Sequence, residues 1–133
     1  MQIADFKLQI VEMTPEQLKA RTKYFALRII KLVGALPKTI EGRAIANQLA
    51  RCGTSAAANY RATCRARSRS EFIAKMGVVL EEADETQLWL ELIIEAKLLP
   101  SKRVDLLLKE TNELVAIFVA SRKSASRNLK STI

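Results

Sequence analysis

The sequence predicts an all-α fold, an antiparallel up-down four-helix bundle. Three observations predict it: apolar residues recur at helical spacing in four long segments, strand-like alternation is nearly absent, and the breaks between segments are short. Composition agrees. The chain is 49% hydrophobic but only 5% aromatic, with four glycines and three prolines in 133 residues, which suits long helices better than β-strands and turns. That length fits one domain with a real core.

The first helix starts at Thr14. Threonine is a good N-cap, Pro15 fits the first turn, and Gln17 completes a capping-box spacing. Its core stripe is Leu18, Thr22, Phe25, Ile29, Leu32, Val33 and Leu36, and it ends before Pro37. The second helix is predicted from about Thr39 to Arg67, with Ile45, Leu49, Cys52, Ala56, Asn59, Tyr60 and Thr63 inward. The third opens at Ser68, again with capping-box spacing to Glu71. Its stripe is Phe72, Met76, Val79, Leu80, Ala83, Leu90, Ile93 and Ile94, and it stops at Leu99-Pro100. Ser101 is read as the cap of the fourth helix, whose stripe is Val104, Leu107, Leu108, Thr111, Leu114, Val115 and Phe118. The helical body is thus residues 14–120. Residues 1–13, weakly alternating at Phe6, Leu8 and Ile10, are set apart as an N-terminal arm. Residues 121–133, basic and serine-rich without an acid, read as a flexible tail.

The charge is +8, which suits an acidic partner and leaves the fold undetermined. It is unevenly placed: residues 71–97 hold seven acids against two lysines, so they carry −5 and the rest of the chain +13. On the second helix Arg43, Arg51, Arg61 and Arg65 fall within an arc of roughly 80°. Beside them lies a face of small residues, Ala46, Ala50, Gly53 and Ala57. A mid-helix glycine costs about 1 kcal/mol against alanine, so a second helix is expected to approach closely there, as at a subunit interface. On the third helix Glu81, Asp84, Glu85, Glu91 and Glu95 gather away from the core, with Leu88 and Leu92 among them. A basic stripe on one helix and an acidic stripe with an apolar centre on another suggest complementary contacts between subunits. Asn59, on the core stripe, is expected to be a buried polar group that is hydrogen-bonded.

Catalytic equipment is missing. The chain has no histidine, which removes the commonest general base and metal ligand, and the Glu-x-x-His pairs of di-iron bundles with it. There is no phosphate loop, nucleophile elbow or zinc-type cysteine cluster, so no enzyme activity, metal or cofactor is expected. Cys52 and Cys64 lie twelve residues apart on one predicted helix, roughly 18 Å, and cannot pair. They suit a reducing compartment. With no signal peptide and no membrane-spanning apolar run, the cytoplasm is the expected location and no membrane partner is expected.

From Gln48 to Ala62 the second helix resembles the four-helix family of 23S rRNA intervening-sequence proteins. That family typically reads Gln-Leu-Arg-Arg-Ala-x-x-Ser-Ile-x-x-Asn-Ile-Ala-Glu-Gly there, and Gln48, Leu49, Arg51, Ser55 and Asn59 match. Ser70-Glu71-Phe72 and Glu81-Glu82-Ala83-Asp84-Glu85 match its third helix. Tyr60-Arg61-Ala62-Thr63 departs from its Ile-Ala-Glu-Gly. The resemblance covers about residues 14–120. It implies ring-like homopentamers, and some similar proteins are accessory subunits of diversity-generating retroelements that bind a reverse transcriptase and nucleic acid. Five copies of a +8 protomer would carry about +40, which favours polyanion binding.

Two functions follow as expectations. The first is a non-enzymatic, oligomeric nucleic-acid-binding protein, for RNA, contacting phosphates through Arg43, Arg51, Arg61, Arg65 and the tail residues Arg122, Lys123, Arg127 and Lys130. Most of the few aromatics fall on apolar stripes, so base stacking is not expected to contribute. The alternative is a protein-interaction scaffold, or accessory subunit of a reverse-transcriptase-like partner, assembled through Ala46, Ala50, Gly53, Ala57, Glu81, Glu85, Leu88 and Leu92.

Overall fold

Apolar spacing and caps place four helices and no strand among the described residues. The computed structural model describes residues 13–131, with side chains through Arg127. Helix α1 spans Pro15–Gly34, α2 Ile40–Thr63, α3 Arg69–Glu95 and α4 Asp105–Ser131, with a 3-10 turn at Ser101–Arg103 before α4. The residues read as an N-terminal arm lie, apart from Met13, outside the described residues.

The helix starts follow the cap chemistry. The Gln17 N–H donates to Thr14 Oγ1 at 3.1 Å and the Thr14 N–H donates to Gln17 Oε1 at 2.8 Å, closing the capping box. Thr39 accepts from the Gly42 N–H, and Ser68 from the Glu71 N–H, both at 3.1 Å. Glu71 turns its carboxylate to the Arg67 N–H instead of the Ser68 N–H.

The helix ends differ from expectation. Helix α2 stops at Thr63, ahead of the expected Arg67, with Cys64 as its C-cap. Helix α3 stops at Glu95, four residues short of Leu99. There Lys97 takes a left-handed φ of 58°. The Lys97 N–H donates to Ile94 O and the Leu98 N–H to Ile93 O, which satisfies the last carbonyls in a Schellman arrangement. Ser101 opens the 3-10 turn, and α4 begins at Asp105.

The segment read as a flexible tail is helical. Helix α4 continues past residue 120 to Ser131 because the alanines, arginines and lysines there are good or adequate helix formers and α3 offers them a partner. The Arg122 Nε–H donates to the Ile73 carbonyl at 3.1 Å, and Ala120, Ser121 and Ala125 are half-buried.

Neighbours in sequence are neighbours in space: α2 packs on α1 and α3, and α3 on α4, whereas α1 and α4 meet at few points. Along α3 and α4 partner positions run oppositely, Ile73 with Arg122 and Gln87 with Asn112. All four helices contribute to one core, centred on Phe25, Ile29, Leu49, Met76, Leu90 and Phe118. Tyr60 of α2 stacks on Phe118 of α4 at 5.9 Å between ring centroids. The sparse α1–α4 seam is clasped by Arg21, whose guanidinium donates to both Glu110 oxygens at 2.8 and 2.7 Å and reaches Glu113 at 3.4 Å.

Among the described residues the buried polar ones are four threonines, Thr22, Thr63, Thr86 and Thr111. Each hydroxyl donates to a carbonyl of its own helix, three or four residues back, at 2.7 to 3.0 Å. That removes the cost of an unpaired hydroxyl without needing a partner helix. Asn59 is not among them. It lies at the edge of the core, half-buried, and its backbone carbonyl accepts the Thr63 hydroxyl. Tyr60, one position on, takes the inward direction in its place.

Candidate nucleic-acid interface

Helix α2 carries the arginine stripe, but its length separates the members. Arg43 and Arg61 are 18 residues apart, about 27 Å of helix, and Arg65 lies beyond the C-cap Cys64. All four of Arg43, Arg51, Arg61 and Arg65 are exposed. Arg51 Nη2 lies 3.7 Å from Glu85 of α3, so its charge is partly answered. Arg43, Arg61 and Arg65 make no ion pair among the described residues.

The fold brings two of these arginines to the tail group. Arg61 lies in the last turn of α2 and Arg65 just past its C-cap, and α4 delivers its last turns to the same end of the molecule. An open cleft of about 610 Å³ lies between them, lined by Thr63, Cys64, Ser68, Arg69, Ser121 and Ser124 among others. Arg122, Lys123 and Arg127 are exposed on the adjoining turns of α4. The side chain of Lys130 lies outside the described residues. Exposed Arg67 and Arg69, outside the expected contact set, join the same end. Their signal was the Arg67-Ser68-Arg69-Ser70 run itself. This end can offer several guanidinium groups and hydroxyl donors to a phosphate backbone.

The proposed subunit-contact residues divide. Gly53 is buried, and a methyl group built on it would sit 2.8 Å from Cγ2 and 2.9 Å from Cγ1 of Ile29. The helix that approaches this glycine is therefore α1 of the same chain, not a second subunit. Ala57 is buried as well, and Ala46 and Ala50 are half-buried, Ala46 against the core. Glu85 likewise meets its countercharge, Arg51, inside the protomer, because α2 and α3 are neighbours. Glu81 is exposed, and Leu88 and Leu92 remain 49% and 37% exposed.

Two titrating groups lie behind the α2–α3 seam. Burial pushes the Cys52 thiol up to about 11, against the Thr86 hydroxyl 3.2 Å from its sulfur, which favours the thiolate. Burial, then the neighbouring Glu85, holds Glu82 above the ordinary carboxylate range, and Arg51 opposes this. Glu82 Oε2 has no hydrogen-bond partner among the described residues. Cys52 and Cys64 are both free thiols. No described helix is long and apolar enough to cross a membrane.

No curated protein matches the chain. Among solved structures it is similar to a protein of unknown function from the S23 ribosomal protein family of Bacteroides thetaiotaomicron. The two share 31% identity with a TM-score of 0.76, over 84% of this chain and 99% of that one. The family model for 23S rRNA-intervening sequence proteins matches residues 16–120. That span takes in α1, α2, α3 and most of α4, and the chain belongs to the 23S rRNA-intervening sequence protein family.

Proposed function

We propose that this chain is a non-enzymatic, oligomeric nucleic-acid-binding protein that grips RNA by its phosphates. The protomer is read as an antiparallel up-down bundle that assembles into a ring. The observation that supports the binding reading is that the segments around the cleft bear exposed Arg61, Arg65, Arg67, Arg69, Arg122, Lys123 and Arg127, with Arg69 lining it. Net charge of +8 per protomer would be multiplied by assembly and would give salt-dependent affinity with little sequence preference. Arg51 is a lesser contributor because Glu85 shares its charge, and Arg43 would act from the opposite end of α2.

One observation favours the second reading, a scaffold or accessory subunit for a protein partner such as a reverse transcriptase. Leu88 and Leu92 form an exposed apolar pair among acids on α3, a surface suited to being covered. Titrating a labelled RNA hairpin and a blunt RNA duplex at two salt concentrations, with light scattering on the same samples, separates the readings. Affinity that falls steeply with salt and is lost in an Arg61→Glu/Arg65→Glu variant supports phosphate contact. An oligomer that ignores both RNAs at low salt refutes it and leaves the scaffold.

A further inference from the structure

The sparse seam between α1 and α4 opens a second groove, of about 460 Å³, near the start of α4. Tyr24, Leu27 and Leu106 form its apolar wall, and they are 63%, 56% and 71% exposed. Arg28, Lys31, Lys102 and Arg103 complete the lining, with no acid among the described lining residues. The Arg28 guanidinium lies over the Tyr24 ring at 5.8 Å from its centroid, within cation–π range. Among the described residues the other aromatics belong to or pack against the core, and Tyr24 is mostly exposed, a flat ring beside four cations.

We propose that this groove is a subsite for an unpaired nucleotide of single-stranded RNA. The base stacks on Tyr24 between the Leu27 and Leu106 side chains, and the flanking phosphates meet Lys31, Lys102 and Arg103. Aromatic faces accept any base, and cations track the backbone, so the two groups together make a sequence-tolerant single-strand site. The volume suits a ligand of nucleotide size. Charge selects the occupant: a groove with four cations favours a polyanion over a neutral apolar peptide. The site is distinct from the basic end of the bundle, because Leu106 and Arg122 are 16 residues apart along α4, about 24 Å. It rests on the RNA-binding reading above and adds to it a preference for unpaired over paired strands.

The test compares a fluorescent 12-nucleotide oligoadenylate carrying one 2-aminopurine with a blunt RNA duplex, at low salt, on the full chain. Wild type should bind the single strand and quench the 2-aminopurine. Tyr24→Ala should weaken single-strand binding about 5- to 150-fold, the range expected for one lost base–aromatic stack, and abolish the quenching. Its duplex affinity should stay within about twofold, and Tyr24→Phe should restore both signals. Because Tyr24 is exposed, these variants should keep the wild-type melting temperature. Lys102→Glu/Arg103→Glu should weaken the single strand more than the duplex. If wild type binds both RNAs and Tyr24→Ala changes neither, the groove proposal fails and the basic-end reading stands. If wild type binds neither, both fail. If Tyr24→Ala alters the oligomer mass by light scattering, the groove is a protein-contact surface and the proposal is overturned.

Discussion

Replacing Gly53 with alanine sets two opposing effects of known size against each other. Alanine in mid-helix is worth about 1 kcal/mol over glycine through backbone entropy and propensity. Against this, the new methyl would lie 2.8 and 2.9 Å from the two γ-carbons of Ile29 and 3.2 Å from its Cβ. Ile29 is fully buried and β-branched, so its γ-carbons cannot swing away without leaving a rotamer well. Overpacking of this kind costs about 1–3 kcal/mol. Net of the propensity gain, Gly53→Ala should destabilise by up to about 2 kcal/mol, a fall in Tm of up to about 8 °C for a domain this size. The assay is a urea melt followed by circular dichroism at fixed protein concentration, since assembly would add its own mass-action term. A second background makes the reasoning sharper. Ile29→Ala alone should cost about 2–5 kcal/mol, but it removes both γ-carbons. In that background Gly53→Ala should become stabilising by up to about 1 kcal/mol, because only the propensity gain is left. Gly53→Ala that stabilises the otherwise unchanged protein would refute the close α1–α2 approach. A change in oligomer mass with unchanged protomer stability would return Gly53 to a subunit interface.

Three further predictions follow from particular contacts. Lys97 holds a left-handed φ that disfavours a side chain, so Lys97→Gly should raise stability by about 1 kcal/mol in a denaturant melt; a loss would show that the lysine side chain makes a compensating contact. Arg21→Ala should cost about 1–3 kcal/mol, because it leaves two largely buried carboxylates, Glu110 and Glu113, facing each other across the α1–α4 seam. Glu82 is held above its ordinary value by burial and by Glu85, so the fold favours its neutral form. The stability that Glu82 itself contributes is therefore greatest below the ordinary glutamate value and declines as pH rises through the raised one. Glu82→Gln should accordingly melt higher than wild type at pH 7, and the gap should close as pH falls below about 4. A glutamine variant less stable at pH 7 would mean that the carboxylate has a counter-ion.

Helical period, caps and the apolar stripes were legible in the sequence because they are local. Thr14 and Ser68 cap where their spacing to Gln17 and Glu71 allows, and the inward faces of α1 and α4 follow from counting residues at 3.6 per turn. Family membership was legible too, in Gln48, Leu49, Arg51, Ser55 and Asn59. Which helix each remaining face meets was decided only by tertiary packing. A helical wheel gives the direction of Gly53 and of Arg51 but not the identity of the neighbour. Ile29 of α1 and Glu85 of α3, both in the same chain, took positions assigned to another subunit. The basic tail looked unstructured because it offers no apolar stripe of its own, and it is helical because α3 lies alongside to receive Arg122. The Tyr24 groove has no signature in the chain, since it is made where α1 and α4 fail to close and residues far apart in sequence share one exposed wall.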